Sequence, residues 1–97
     1  MGKVIFTVTY EVRPDKRDEY LALSQEMKSY LATNGKNYAV YEEKGKKNSF
    51  AEVFSYTSME EFDQSEDEDD KMLQFVGQLE SMLANGKMKY STLVELE

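Results

Sequence analysis

The sequence predicts an α+β fold of the ferredoxin-like kind: one antiparallel sheet with two helices on one face, in a single domain over 1–97. Three observations predict it. Apolar residues alternate with period two in four segments. They recur at helical spacing in two others. The order of these segments is β-α-β-β-α-β. At 97 residues the chain is long enough for one modest core and too short for two.

The first strand starts at Val4. Val4, Phe6, Val8, Tyr10 and Val12 make one apolar face, and Ile5, Thr7, Thr9 and Glu11 make a mixed one. Arg13-Pro14-Asp15 breaks the strand, because proline has no amide hydrogen for the ladder. Asp15, with Asp18 three residues on, reads as a helix N-cap with an acidic third position. A helix to about Ala32 follows, with Tyr20, Leu23, Met27, Tyr30 and Leu31 on its apolar face, and Thr33-Asn34-Gly35 stops it. Tyr38–Glu43 and Phe50–Tyr56 read as strands joined in a hairpin through Lys44-Gly45-Lys46-Lys47-Asn48. Ser58-Met59-Glu60-Glu61 fits a capping box, with Met59 and Phe62 turned inward. Met72, Phe75, Val76, Leu79, Met82 and Leu83 give a second amphipathic helix, ended by Asn85-Gly86. Met88–Glu95 alternates again, with Met88, Tyr90, Thr92 and Val94 opposite Lys89, Ser91, Leu93 and Glu95.

In such a sheet one face meets the helices and the other is open. Ile5, Ala39, Tyr41, Ala51, Val53 and Leu93 fall on the open face beside Thr and Ser. A half-apolar open face predicts a partner, and a homodimer through that face is the expectation.

Composition narrows the chemistry. There is no Cys and no His, which excludes disulfides, thiolate nucleophiles, the usual zinc sites and a His general base. No apolar run reaches the roughly 20 residues of a membrane span, and the strand-like amino terminus lacks the apolar core of a signal peptide. A cytoplasmic location without membrane contact is expected, and no cofactor is called for. The net charge of −7 argues against a nucleic-acid partner. An RNA-recognition domain has the same element order, but Ser49-Phe50-Ala51-Glu52-Val53-Phe54 lacks the basic residue and glycine of its third strand.

The acidity is local. Eight of the 19 acids lie in residues 60–70, "EEFDQSEDEDD"; the other 11 face 12 Lys plus Arg. The run lacks the glycine and final glutamate of a calcium loop, and adjacent carboxylates on a helix diverge by roughly 100°. Three readings remain: acids favouring a helix N-terminus, a partner-binding patch, or a weak cation site. No metal site is assigned.

Glu52 is the sharper candidate. It alternates with Phe50, Phe54 and Tyr56, so it shares a face with three aromatics. Turned toward the helices, it is either a general base with a pKa raised by burial, or a structural acid paired with a tyrosine hydroxyl or lysine nearby. Tyr10, Tyr38, Tyr41, Tyr56 and Tyr90 lie on strands, where tyrosines usually pack with the hydroxyl at a wet edge. The functional alternative is a pocket for a small apolar or aromatic ligand. In it Tyr10, Glu52, Phe54 and Tyr56 face the ligand, with Phe62 and Phe75 as walls.

Three stretches carry a family resemblance: VTYEVRPDKRDEYLAL, NYAVYEEKGKKNSFAEVFSYTSMEEFD and LESMLANGKMKYSTLVELE. Together they resemble the dimeric α+β barrel superfamily, and within it the antibiotic-biosynthesis-monooxygenase-like domains. The resemblance implies two subunits pairing their sheets into a barrel, with small ligands held between sheet and helices. It also exposes departures. Haem-degrading members use a His after the third strand, with an Asn and a Trp in the pocket. This chain has no His or Trp and no Asn in its first strand; Tyr56 stands where the Trp usually ends the third strand, and the acidic run replaces the His segment. The resemblance therefore implies no haem chemistry. It leaves a non-catalytic small-ligand-binding or interaction module, or alternatively a cofactor-independent monooxygenase-like enzyme for a phenolic or quinol substrate, with Glu52 as its candidate catalytic residue.

Overall fold

A computed structural model describes residues 2–64 and 70–96. Strand β1 (Val4–Glu11) leads through one turn of 3-10 helix (Pro14–Lys16) into helix α1 (Arg17–Thr33). Strands β2 (Asn37–Glu42) and β3 (Ser49–Tyr56) form a hairpin. Helices α2 (Met59–Gln64) and α3 (Asp70–Glu80) precede strand β4 (Lys89–Val94). The sheet order is β2-β3-β1-β4, with every neighbouring pair antiparallel. This is the predicted ferredoxin-like α+β fold. Among the described residues, no helix is long and apolar enough to cross a membrane.

The register decides which side chains go inside. Val8 stands opposite Glu52 on β3 and Tyr90 on β4, and Glu52 stands opposite Val40 on β2. The even-numbered residues of all four strands therefore share the helix-covered face. Val8, Tyr10, Val12 and Phe50 from that face pack with Tyr20, Leu23 and Met27 of α1 and with Phe75 and Leu79 of α3. The opposite face carries the six apolar residues expected there, and Tyr41 and Leu93 are 59% and 56% exposed.

Helix α1 ends in a Schellman arrangement. Gly35, at φ 73°, donates to the carbonyl of Ala32 at 3.1 Å, and Lys36 donates to that of Leu31 at 2.9 Å. The other end of α1 is tied to the hairpin. Arg17 forks onto Glu42 at 2.6 and 2.9 Å and also donates to Asn48 Oδ1 at 2.9 Å. Asn48, in the left-handed region at φ 72°, donates its amide to Glu42 at 2.7 Å. Arg17's hydrogen bond, then Asn48's amide, hold the Glu42 carboxyl down at about 2.

Several local expectations change. Asp15 does not cap α1. Proline fixes a 3-10 turn at 14–16, and Asp15 lies 3.8 Å from Arg13 instead. The capping box at Ser58 forms in a shifted version. Ser58 Oγ accepts from the amide of Glu61 at 3.1 Å, but the Glu61 carboxylate accepts from the amide of Thr57 at 2.8 Å and from the Thr57 hydroxyl, not from the Ser58 amide. Met59 is exposed rather than turned inward.

The second long helix ends at Glu80 rather than near Asn85. Met82 and Leu83 are still buried, but in a turn whose backbone joins the end of β1: Arg13 donates to Met82, Ala84 donates to Glu11, and Val12 pairs with Leu83. A helical turn and a short bridge bury the same two side chains, so periodicity did not separate them. Most of the acidic run, residues 65–69, lies outside the described residues. Asp70 sits in the first turn of α3, where its charge favours the helix dipole.

Phe75→Ala should cost about 3–5 kcal/mol, because the ring is 1% exposed in the centre of the core. Leu73→Ala on the same helix, at 50% exposure, should stay within about 0.5 kcal/mol. Urea denaturation of the two variants checks the contrast.

Candidate functional site

Glu52 lies mid-strand on β3, flanked across the sheet by Val8 and Val40, and is 4% exposed. Tyr38, one pair further along β2, donates its hydroxyl to Glu52 Oε1 at 2.6 Å. On the other side the Tyr10 and Tyr20 hydroxyls share a hydrogen bond of 2.7 Å, and Tyr10 also acts on Glu52. Burial pushes the Glu52 carboxyl up, and hydrogen bonds from Tyr38 and then Tyr10 oppose that shift. Burial also raises the pKa of Tyr10, Tyr20 and Tyr38, and the nearby Glu52 charge adds to the rise. These phenols stay protonated at neutral pH and serve as hydrogen-bonding groups, not bases.

From Tyr38 a row of rings runs along the helix-side face. Tyr38 and Phe54 are 4.8 Å apart between centroids, Phe54 and Phe6 are 6.0 Å apart, and Phe6 and Phe62 are 6.1 Å apart. Tyr56 meets Phe62 edge-on at 5.3 Å, and Tyr90 stacks on Phe6 at 6.0 Å. Unlike the core, none of these rings is fully buried, and Tyr90 is 61% exposed. The arrangement is an apolar aromatic surface with a polar terminus at the Tyr38–Glu52 pair.

The expected site residues divide into three. Tyr10 and Glu52 come together in the buried hydrogen-bond cluster. Phe54, Tyr56 and Phe62 come together in the aromatic row. Phe75 stands apart in the core, edge-on to Tyr30 at 5.9 Å, with Lys71 Nζ 5.1 Å from its ring centre. Four residues of the arrangement are not among the site residues expected from sequence, Tyr90 at the exposed edge of the row being one. Tyr38 links the two groups, Phe6 joins the row's members, and Tyr20 completes the hydroxyl cluster. The signal for Tyr38 and Phe6 was available: period-two alternation puts both on the face of Phe54 once the sheet register is drawn. Tyr20 comes from a helix, and pairing its hydroxyl with Tyr10 needs three dimensions.

Among the described residues, two shallow clefts border the hydroxyl cluster, one lined in part by Tyr20 and the other by Tyr10. One, of about 260 Å³, runs between α1 and the edge strand β2. The other, of about 430 Å³, lies beside the hairpin and includes Thr9, Tyr41 and Lys89 of the open sheet face. Among the described residues, no group of three or more His, Cys, Asp or Glu side chains is placed to hold a metal ion.

The sign of the Glu52 shift makes a testable statement. A carboxyl whose folded pKa lies above its unfolded value binds its proton more tightly in the folded state. Its stabilising contribution is complete below the ordinary value of 4.5 and is lost as pH rises through the folded value. E52Q keeps an uncharged acceptor for Tyr38. The denaturation midpoint of the native chain should therefore fall relative to E52Q between pH 4.5 and neutrality. A constant difference across that range would remove the shift.

No protein-family profile matches the sequence, and no curated protein matches it. Solved structures do. A Caulobacter crescentus CB15 protein, provisionally described as an antibiotic biosynthesis monooxygenase, superposes with a TM-score of 0.83 at 18% identity, over 99% of this chain and 92% of that one. A conserved protein from Methanosarcina mazei Go1 gives 0.78 at 18% identity, over 96% and 92% of the two chains. Rv0793 from Mycobacterium tuberculosis gives 0.76 at 20% identity, over 98% and 96%. At these identities the likeness is one of fold, and the fold is the one the sequence resemblance implied, that of the antibiotic-biosynthesis-monooxygenase-like structures.

Proposed function

We propose that this chain is a homodimeric, non-catalytic module that binds a small apolar or aromatic ligand along the row Phe6, Phe54, Tyr56 and Phe62. The carrying observation is the half-exposed row itself, which ends in a hydrogen-bonded Tyr38–Glu52 pair. Rings offer a flat ligand contact area at low entropic cost, and the polar end can orient a hydroxyl. Glu52 already takes a phenolic hydrogen from the protein's own Tyr38. That favours a structural acid over a free base.

One observation favours the alternative of a cofactor-independent monooxygenase-like enzyme acting on a phenol or quinol. Glu52 is a buried carboxyl with a raised pKa that demonstrably accommodates a phenol O–H. In that reading the ligand displaces Tyr38, the ionised Glu52 takes the ligand's phenolic proton, and dioxygen adds to a ring carbon of the phenolate; loss of water from the resulting hydroperoxide, with the proton returned from Glu52, leaves a quinone.

Titration with quinols, phenols and short apolar acids, followed by backbone amide shifts, tests both. Shifts clustering at Phe6, Phe54, Tyr56 and Phe62 without oxygen uptake are the expected result. Oxygen uptake lost in E52Q would move the assignment to the enzyme, and no shift at millimolar ligand would sink the site.

The dimer rests on the open sheet face, where Ile5, Tyr41 and Leu93 are exposed beside Ala39, Ala51 and Val53. Sedimentation at tens of micromolar should give twice the 11.3 kDa chain mass, and a mass near 11.3 kDa would refute it.

A further inference from the structure

Glu52 is 4% exposed and makes no ion pair with any described residue. Its neighbours on the sheet face are rings and aliphatic chains: Phe50 and Phe54 two residues away on β3, Val8 and Val40 across the strands. Its Oε1 takes the Tyr38 hydrogen at 2.6 Å, and the Tyr38 ring meets Phe54 at 4.8 Å between centroids, tilted by 55°. A phenol that gives its hydrogen to a carboxylate gains electron density in its ring, because hydrogen-bonded groups polarise one another. The face of such a ring attracts a cation more strongly than that of a free phenol.

Two other features point the same way. Protein cations already sit over two rings of the core, Arg17 over Phe50 at 5.7 Å and Lys71 over Phe75 at 5.1 Å. Phe6, Phe54 and Tyr56 of the half-exposed row carry none among the described residues. Helix α2, which supplies Phe62 to the row, reads Met-Glu-Glu-Phe-Asp-Gln and brings three exposed acids and no base. Lys36 acts on Glu61, whereas Glu60 and Asp63 make no ion pair with a described residue. An aromatic surface with an acid at its end and acids on its flank repels a carboxylate and draws in positive charge. A neutral phenol uses the rings and leaves that field unused.

We propose that the aromatic row binds a small organic cation, an aryl group carrying a protonated amine. The aryl group lies on Phe6 and Phe62. The ammonium rests against the faces of Tyr38 and Phe54, ahead of the Glu52 carboxylate. This names the ligand class of the row and rests on the reading of the row as a binding surface. It uses neither an edge of the sheet nor the open face, so both stay available to a second copy.

The test titrates the whole chain at neutral pH with phenethylamine, phenethyl alcohol and phenylacetate, followed by backbone amide shifts. Expected with the amine are shifts at Phe6, Tyr38, Phe54 and Phe62. Its affinity should exceed that of the alcohol by roughly tenfold, the scale of a partly desolvated cation over aromatic rings. Phenylacetate should bind weakest of the three. E52Q removes the charge and keeps the shape, so it should bring the amine down toward the alcohol. The comparison of the three probes on the native chain stands even where E52Q does not fold. Equal affinity for amine and alcohol, tighter binding of phenylacetate, or an amine preference untouched in folded E52Q overturns the cation and leaves the row standing as a site for other aryl ligands. Shifts with none of the three at millimolar concentration sink the row and the cation together.

Discussion

A carboxyl group buried with no cation beside it among the described residues is the constraint around which this core is arranged. Transferring such a group out of water costs several kcal/mol unless hydrogen bonds replace its hydration. Tyr38 supplies such a bond at 2.6 Å, and the Tyr10 hydroxyl, held by Tyr20, favours the charged form from the other side. The dependence is mutual. A buried tyrosine needs a partner for its own hydroxyl, and leaving one unsatisfied costs about 1–3 kcal/mol. Acid and phenols therefore justify one another's positions, and they join β1, β2, β3 and α1 at one point. The surrounding apolar contacts with Val8, Phe50, Leu23 and Met27 complete the packing around this polar centre.

The two faces of the sheet carry different kinds of unfinished surface. On the helix side, cover is complete over Tyr10, Phe50 and Val12, then thins toward Phe6, Phe54 and Tyr90. On the other side no helix among the described residues covers the sheet. Solved structures with the same fold show that the scaffold recurs in distant organisms at low identity. What a chain does on such a scaffold is set by the side chains placed on it. Here those side chains omit imidazole, thiol and indole, and offer phenols, phenyl rings and one buried acid.

Much of this was legible in the sequence, because strand periodicity is a strong signal when one face is buried. Val4 to Val12 and Phe50 to Tyr56 fix their faces by alternation alone, which is why Glu52 could be placed inside with its aromatic neighbours. The Thr33-Asn34-Gly35 stop followed from backbone chemistry at Gly35. What escaped depended on contacts between distant segments. Asp15 had the composition of a cap, yet Pro14 imposed a tighter turn and Arg13 lay close by. Met82 and Leu83 continued a helical pattern, yet the end of β1 offered their backbone a better set of partners. Phe75 stands among the expected ligand walls and on the apolar face of the second helix, and only the latter position is realised in the described residues, where α3 buries it in the core. In the aromatic row, the sequence supplied the members but not the order in which the rings touch.

The way α1 is fastened has a mechanical consequence. Its carboxyl end turns directly into β2 through Gly35, and its amino end is bolted to the far end of β2 by the Arg17 fork on Glu42. A helix joined to a strand at one end only can swing like a door. Joined at both, the two elements form a closed frame, and parting them at the hairpin end means breaking the Arg17 fork on Glu42 together with its bond to Asn48.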